Sequence, residues 1–278
     1  MLQFSGDAFT TSTKLYDNYL RFIATNGSDS FFMNLKCKID WNAVFFSFKN
    51  IDVQVGDFSL RKTNIEDMFH VKCLNCCFIV RDAFSCMQWS EKYLRDLTDS
   101  TYDQLNEGVY QIARFRALYL NMLVLHASAV VYNDEAILFS GVKGAGKSTQ
   151  ARLWLENTDA WVLNYDKPVV KLDEERVLVS GSPWGGKEDL AINEVRPAKA
   201  LFFVHQAKEN RVVRLSSGMA YAQAHLNYFV YPLNEDIEKR YNDSIIRLIK
   251  KIPVYDLYCT DTAEAVFTVK RVLYPEEE

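Results

Sequence analysis

Eight residues near the middle of the chain, Gly141-Val142-Lys143-Gly144-Ala145-Gly146-Lys147-Ser148, combine bare backbone with two ammonium groups and one hydroxyl. They satisfy G-x-x-x-x-G-K-[ST] at every fixed position. A polyphosphate can lie only against N–H groups that no side chain covers, in backbone regions that glycine reaches readily. The first turn of a helix leaves N–H groups unpaired, and its dipole favours anions. In this pattern Lys147 brings positive charge to the β- and γ-phosphates. The Ser148 hydroxyl, with Thr149 beside it, serves a Mg2+ ion. The competing reading, a glycine-rich turn that only caps a helix, leaves Lys147 and Ser148 together unexplained.

Three further groups could complete such a site. Asp166 closes the run AWVLNYD, 18 residues past Ser148, where a carboxylate can hold the metal's water shell. The alternative for Asp166 is a turn residue ahead of Pro168. His126 lies in LVLHASAVVY, read as a strand, and is either a satisfied core histidine or a group near the γ-phosphate. The segment SGSPWGGKEDL carries Trp184, Lys187 and Glu188. It is either a loop that closes over a triphosphate, with Lys187 gripping the acceptor or the transferred group, or an ordinary surface turn.

The elements that position these groups follow from periodicity. AILFS reads as a buried strand, and the residues from Ser148 to Asn157 as a helix. LVLHASAVVY and EAILFS form a hairpin about Asn133-Asp134. AWVLNYDKPVVKL is a strand that breaks at Asp166 and resumes beyond Pro168. VLVSG, AKALFFVHQA, RVVRLS and VYDLYC are further strands. Helices are expected from about 217 to 229 and 235 to 252, the second stopped by Pro253. Asp261 to Glu264 reads as a capping box opening a last helix. Leu105, Val109, Ile112, Phe115, Leu118 and Met122 recur at spacings of three and four, which marks an earlier helix. Directly successive strands outnumber the helices between them, so a mixed sheet is expected. The division expected is a β-rich region over 1–100 and an α/β nucleotide-binding domain over 101–278.

Composition sets outer bounds. The chain has 278 residues, 49% of them hydrophobic and 24% charged, a globular mixture. A net charge of −4 gives no basic footprint for nucleic acid. The longest apolar-leaning stretch, 117–132, is shorter than the roughly 20 residues that span a bilayer. With no secretory signal at the start, a soluble cytoplasmic protein is expected. The cluster Cys73, Cys76, Cys77 and Cys86 holds a single Cys-x-x-Cys element, so packed thiols are favoured over a metal centre.

With these residues in view, the segment from about Leu123 to Leu215 resembles the carboxy-terminal domain of HPr kinase/phosphorylase, and by extension the phosphoenolpyruvate carboxykinase-like P-loop fold. That family shows a histidine before a β-hairpin, a P-loop on the hairpin's exit and an acidic strand end beyond the P-loop helix. His126, Gly141 to Ser148 and Asp166 match in order and approximate spacing. The resemblance implies ATP (or another NTP) and Mg2+ as cofactors, with Ser148 and Asp166 at the metal. It also implies oligomeric assembly, although no heptad or interface stripe marks the chain. One departure stands out. The family carries two successive aspartates at the strand end, the first a general base, whereas Tyr165-Asp166 stands here. Glu188 and His126 are the groups left to take the proton. Residues 1–100 match nothing in that family.

Two functions follow as expectations. The first is a serine-kinase-like phosphotransferase acting on a protein, peptide or small hydroxyl compound. The second is a nucleotide-binding regulatory ATPase or switch without kinase activity, which the missing base favours.

Overall fold

A computed structural model of the chain describes residues 2–5, 35–40, 53–55, 58–62, 69–73, 76–81, 84, 86–90, 99–188, 190–228, 230 and 234–275. It divides into two compact units, 1–120 and 121–278. The division falls after the first helix, later than the expected 100/101 boundary, because that helix packs on strands of the amino-terminal unit.

In the first unit β1 (Leu2–Ser5), β2 (Leu35–Asp40), β3 (Val53–Val55), β4 (Phe58–Lys62), β5 (Phe69–Cys73), β6 (Cys76–Arg81) and β7 (Cys86–Ser90) form one sheet in the order β1-β2-β7-β6-β5-β4-β3. Helix α1 (Asp99–Tyr119) lies against β5 and β6. Its apolar stripe is buried as the spacing predicts: Val109, Ile112, Phe115 and Leu118 are each at most 3% exposed. The Phe115 ring stacks on Phe84 at 4.8 Å. Cys73 and Cys76 face each other across the β5–β6 hairpin, whose backbone accounts for their spacing. A further apolar run that reads as a strand, AVFFSFKNI, lies outside the described residues.

The second unit is a mixed α/β fold. Its strands are β8 (Met122–Val124), β9 (Ala127–Tyr132), β10 (Glu135–Ser140), β11 (Trp161–Asn164), β12 (Val169–Leu172), β13 (Val177–Ser180), β14 (Val195–Gln206), β15 (Arg211–Arg214) and β16 (Val254–Cys259). β14 pairs in parallel with β10 and β16, while β9–β10, β9–β11, β8–β12, β12–β13, β13–β14 and β15–β16 are antiparallel. The hairpin turn has positive φ at both Asn133 (51°) and Asp134 (59°), the type I′ geometry that matches strand twist.

Helices cover both faces of this sheet. α2 (Lys147–Asn157) and α5 (Ala263–Leu273) pack together on one, and α3 (Ser217–Tyr228) and α4 (Glu235–Lys251) on the other. Alternation along β14 divides its aromatics between them: Phe202 joins Phe139 and Tyr255 beneath α2 and α5, while Phe203 meets Tyr228 of α3. That is why β9, β10 and the second half of β14 read as continuous apolar runs. Trp154 of α2 is fully buried, edge-on to Tyr132 at 5.5 Å. Truncating such a side chain to alanine costs about 3–5 kcal/mol.

One strand expected to run straight does not. LVLHASAVVY breaks between β8 and β9, so His126 lies in a bend rather than within a strand. AWVLNYDKPVVKL breaks between β11 and β12, as expected, at Asp166. β8, ahead of the first break, pairs with β12, beyond the second; β9, beyond the first, pairs with β10 and with β11, ahead of the second. Both chains therefore pass from one half of the sheet to the other at the same seam, stitched by Leu125 N–H to the Pro168 carbonyl and Ala127 N–H to the Asp166 carbonyl, each 3.0 Å. Among the described residues only β14 runs unbroken through both halves, pairing first with β13 and then with β10 and β16. Among the described residues no helix is long and apolar enough to cross a membrane.

Candidate functional site

The loop 141–146 leaves the end of β10 and enters α2 through Gly146, which caps the helix at φ 107° with no side-chain cap. The helix's first N–H groups therefore lack a local side-chain acceptor and are directed toward the loop. Gly141 is held tightly. At φ 145° a Cβ there would lie 3.0 Å from the Ala145 Cβ and 3.2 Å from the Val204 carbonyl of β14. A side chain would push the loop off the strand beneath it. From the other side Gln206 Nε2 donates to the Gly144 carbonyl at 2.8 Å. Val142, Lys143, Gly144 and Ser148 are exposed, Thr149 is half-buried, and Ala145 is buried.

Lys147 folds back over the loop. Its Nζ donates to the carbonyls of Gly141 (2.9 Å) and Val142 (3.1 Å). Burial lowers its pKa; Asp166 opposes that, and Lys167 adds to it. A phosphate oxygen reaching the loop competes with the two carbonyls for this ammonium.

Asp166 stands at the seam. Its Oδ1 is 3.3 Å from His126 Nε2, and Lys167 Nζ lies 3.3 Å from each carboxylate oxygen. Burial raises the carboxyl pKa, but the hydrogen bond from His126 and the nearby charge of Lys167 outweigh it, and the net shift is downward. The carboxylate is thus held ionised beside Lys147. His126 and Asp166 are each about one-third exposed, so both can meet solvent or a ligand.

The bend that presents Asp166 is built by Asn164, a fully buried residue. Its Oδ1 accepts from the N–H of Asp166 (2.9 Å) and Lys167 (2.7 Å), and its Nδ2 donates to the Ser182 carbonyl and hydroxyl. Ser128 adds a bond from its hydroxyl to the Tyr165 carbonyl at 2.7 Å. Ser182 Oγ in turn donates to the Lys167 carbonyl at 2.5 Å. Tyr165 itself turns away from this cluster: its ring is buried in the hydrophobic core beneath α2.

The segment 181–188 is not one free loop. Gly181, Ser182, Trp184 and Gly185 are buried, and a Cβ at Gly181 would lie 2.0 Å from the Ile192 carbonyl. Its first half therefore buttresses the Asp166 bend. A 3-10 turn follows, Gly186–Glu188, in which Gly186 and Lys187 are exposed. Lys187 projects from it with no hydrogen bond or ion pair among the described residues, and it is not drawn into the Lys147–Asp166 cluster. The side chain of Glu188 lies outside the described residues.

The geometry thus gathers Lys147, Asp166 and His126, and adds two groups that sequence reading passed over. Lys167 follows Asp166 directly, and a cation beside a carboxylate at a strand end was the available signal. Asn164, two residues earlier, has the local side-chain-to-backbone pattern of an Asx turn. A metal's fit can be judged from the donors. A hydroxyl and a carboxylate are the hard oxygen ligands Mg2+ prefers, with its remaining positions taken by water and phosphate. Among the described residues no group of three or more His, Cys, Asp or Glu side chains could hold a metal ion by itself. Ser148 and Asp166 each offer an oxygen donor of that kind.

No protein-family model matches the chain, and no curated protein matches it. Among solved structures it is similar to the HPr(Ser) kinase/phosphatase from Coxiella burnetii, at 10% identity and a TM-score of 0.34, over 56% of this chain and 99% of that one. Similarity at that level says nothing of activity or substrate.

Proposed function

We propose that the chain is an ATP- and Mg2+-dependent phosphotransferase whose acceptor is a hydroxyl on a protein, peptide or small molecule. The observation that carries this reading is the grouping of Lys147, Asp166, His126 and Lys167 beside a glycine loop that opens a helix. Phosphoryl transfer through a loose transition state needs mainly positioning and charge stabilisation, and this grouping supplies both. The loop amides and Lys147 hold the β- and γ-phosphates. Ser148 and Asp166 hold the metal, which when bound neutralises charge on the phosphate oxygens. Lys167 adds a second positive charge beside Asp166.

The acceptor's proton needs a base. Tyr165 is ruled out for that role by its place in the core. His126 is the group favoured, because its Nε2 faces the Asp166 carboxylate, which orients the ring. The buried Tyr165 also favours a second reading, a nucleotide-dependent switch with no acceptor.

One assay separates the two. Full-length protein is incubated with γ-labelled ATP, Mg2+ and a mixture of hydroxyl-bearing peptides and small molecules. Label reaching an acceptor, and lost in His126→Ala with nucleotide affinity kept, supports the kinase. Nucleotide binding with label appearing only as free phosphate, or not at all, overturns the kinase in favour of the switch.

A further inference from the structure

Strand β15 pairs along one side only, with β16, and among the described residues no strand lies on its other side. The phase of that ladder fixes what the free side offers. The Leu215 N–H donates to the Val254 carbonyl at 2.9 Å, so in the alternating pattern of an antiparallel pair Val213 and Arg211 also bond to β16. Val212 and Arg214 therefore turn their N–H and C=O groups outward, a template for one more strand.

The side chains along this edge carry positive charge that nothing neutralises. Arg211 and Arg214 fall on opposite faces of the sheet. The Arg211 guanidinium lies over the Tyr258 ring, 4.1 Å from its centroid, and that of Arg214 over Tyr255 at 5.1 Å, with its Nη1 donating to the Tyr255 hydroxyl at 3.1 Å. Both arginines are exposed, and neither makes an ion pair among the described residues. Asp256, the neighbour of Val213 on β16, is occupied: its Oδ1 is 2.8 Å from His205 Nε2, and its side chain is 10% exposed. His205 stacks on Tyr258 at 4.9 Å, so Arg211, Tyr258 and His205 form one row across three strands. A guanidinium laid flat on a fixed ring loses little freedom on meeting a carboxylate. Beside Arg211, on the same face, Val213 is 41% exposed.

We infer that β15 is a docking edge for an extended acidic peptide, which adds as a further strand and sets carboxylates against Arg211 and Arg214. The two arginines are separated by Val212 and Val213, so the partner needs two acidic residues at the same spacing, with apolar residues between them. Charge favours this partner over a second copy of the chain, which would gather the arginines of both copies on one short seam.

Fluorescence anisotropy of the full chain with labelled synthetic peptides tests this. The probe has glutamate, valine, valine and glutamate at its centre and threonines on both sides. It should bind at least about tenfold tighter than the same peptide with lysine for glutamate, and about threefold tighter than an isomer with glutamates at alternate positions, which sets both on one face. N-methylation of alternate probe amides should weaken binding about tenfold in one phase and leave it within about twofold in the other, since an added strand uses one of its two sides. The double variant Arg211→Glu/Arg214→Glu should prefer the lysine peptide, which also shows that it folds. Equal binding of the glutamate and lysine peptides, or no binding up to about 1 mM, overturns the inference and leaves the arginines as guards against edge pairing. Losses that are equal in the two N-methyl phases overturn strand addition. Light scattering that shows a dimer of the chain, with the glutamate peptide excluded, overturns the peptide and gives the edge to a second copy.

Discussion

Asn164→Ala removes the side chain that shapes the bend under Asp166. Four hydrogen bonds go with it: two accepted from the Asp166 and Lys167 amides at 2.9 and 2.7 Å, and two donated to Ser182 at 3.2 and 3.3 Å. A typical intramolecular hydrogen bond contributes about 1 kcal/mol net, and a buried partner left unpaired costs more. The two bonds to Ser182 are long and come from one NH2 group, so they count for less. Asp166 and Lys167 are half-buried, so water can partly rescue their amides. Together these give an expected loss of about 2–4 kcal/mol. Urea unfolding of the two proteins measures that loss. Hydrogen exchange localises it: the Asp166 and Lys167 amides should exchange at least about tenfold faster, while those of β10 stay protected. Asn164→Asp keeps the acceptor oxygen and turns a second oxygen toward the Ser182 carbonyl. It should retain the amide protection and lose stability through repulsion. A loss under about 0.5 kcal/mol, with unchanged exchange at both amides, would refute the idea that this side chain sets the bend.

Three shorter predictions concern the loop and its carboxylate. Gly141→Ala places a methyl 3.0 Å from the Ala145 Cβ at a positive φ, and should cost about 1–3 kcal/mol in thermal unfolding along with weakened pyrophosphate binding. Lys147→Met should lower the affinity for Mg2+-pyrophosphate by about tenfold or more while changing urea stability by less than about 1 kcal/mol, because a buried charge is removed along with its bonds to two carbonyls. Asp166 has a folded pKa below its ordinary 3.8, so its contribution is complete above that value and fades as pH falls through the folded pKa. The stability gap between the unaltered protein and Asp166→Asn should stay level from neutral pH down to the ordinary carboxylate range and close only at lower pH. A gap that closes at higher pH contradicts the lowered pKa.

Much of this site could be read from residue order alone. The strand, loop and helix around Gly141 to Lys147 followed from an apolar run meeting three glycines, and the I′ turn from Asn133-Asp134. The break at Asp166 was legible because Pro168 cannot continue a strand ladder. The break at His126 was not, because LVLHASAVVY has no glycine or proline to mark it, and what divides it is pairing with two different partners. The buried start of the 181–188 segment was hidden for a similar reason. Glycine and serine suggest an exposed turn, yet here they permit close approach to Ile192 and a bond to Lys167. The last helix shows the limit of local rules. Thr262 caps it instead of Asp261, without a side-chain bond to the helix, because its hydroxyl meets Thr260 while Glu264 meets Arg271.

The unbroken course of β14 separates two kinds of freedom in this molecule. Its second half forms the floor under Gly141, and its first half carries the ladder to β13, β12 and β8. Substitutions along β8, β12 and β13 can therefore reshape one flank while the glycine loop keeps its own strand support. Such a layout lets one half of the sheet vary without disturbing the strand on which the loop rests.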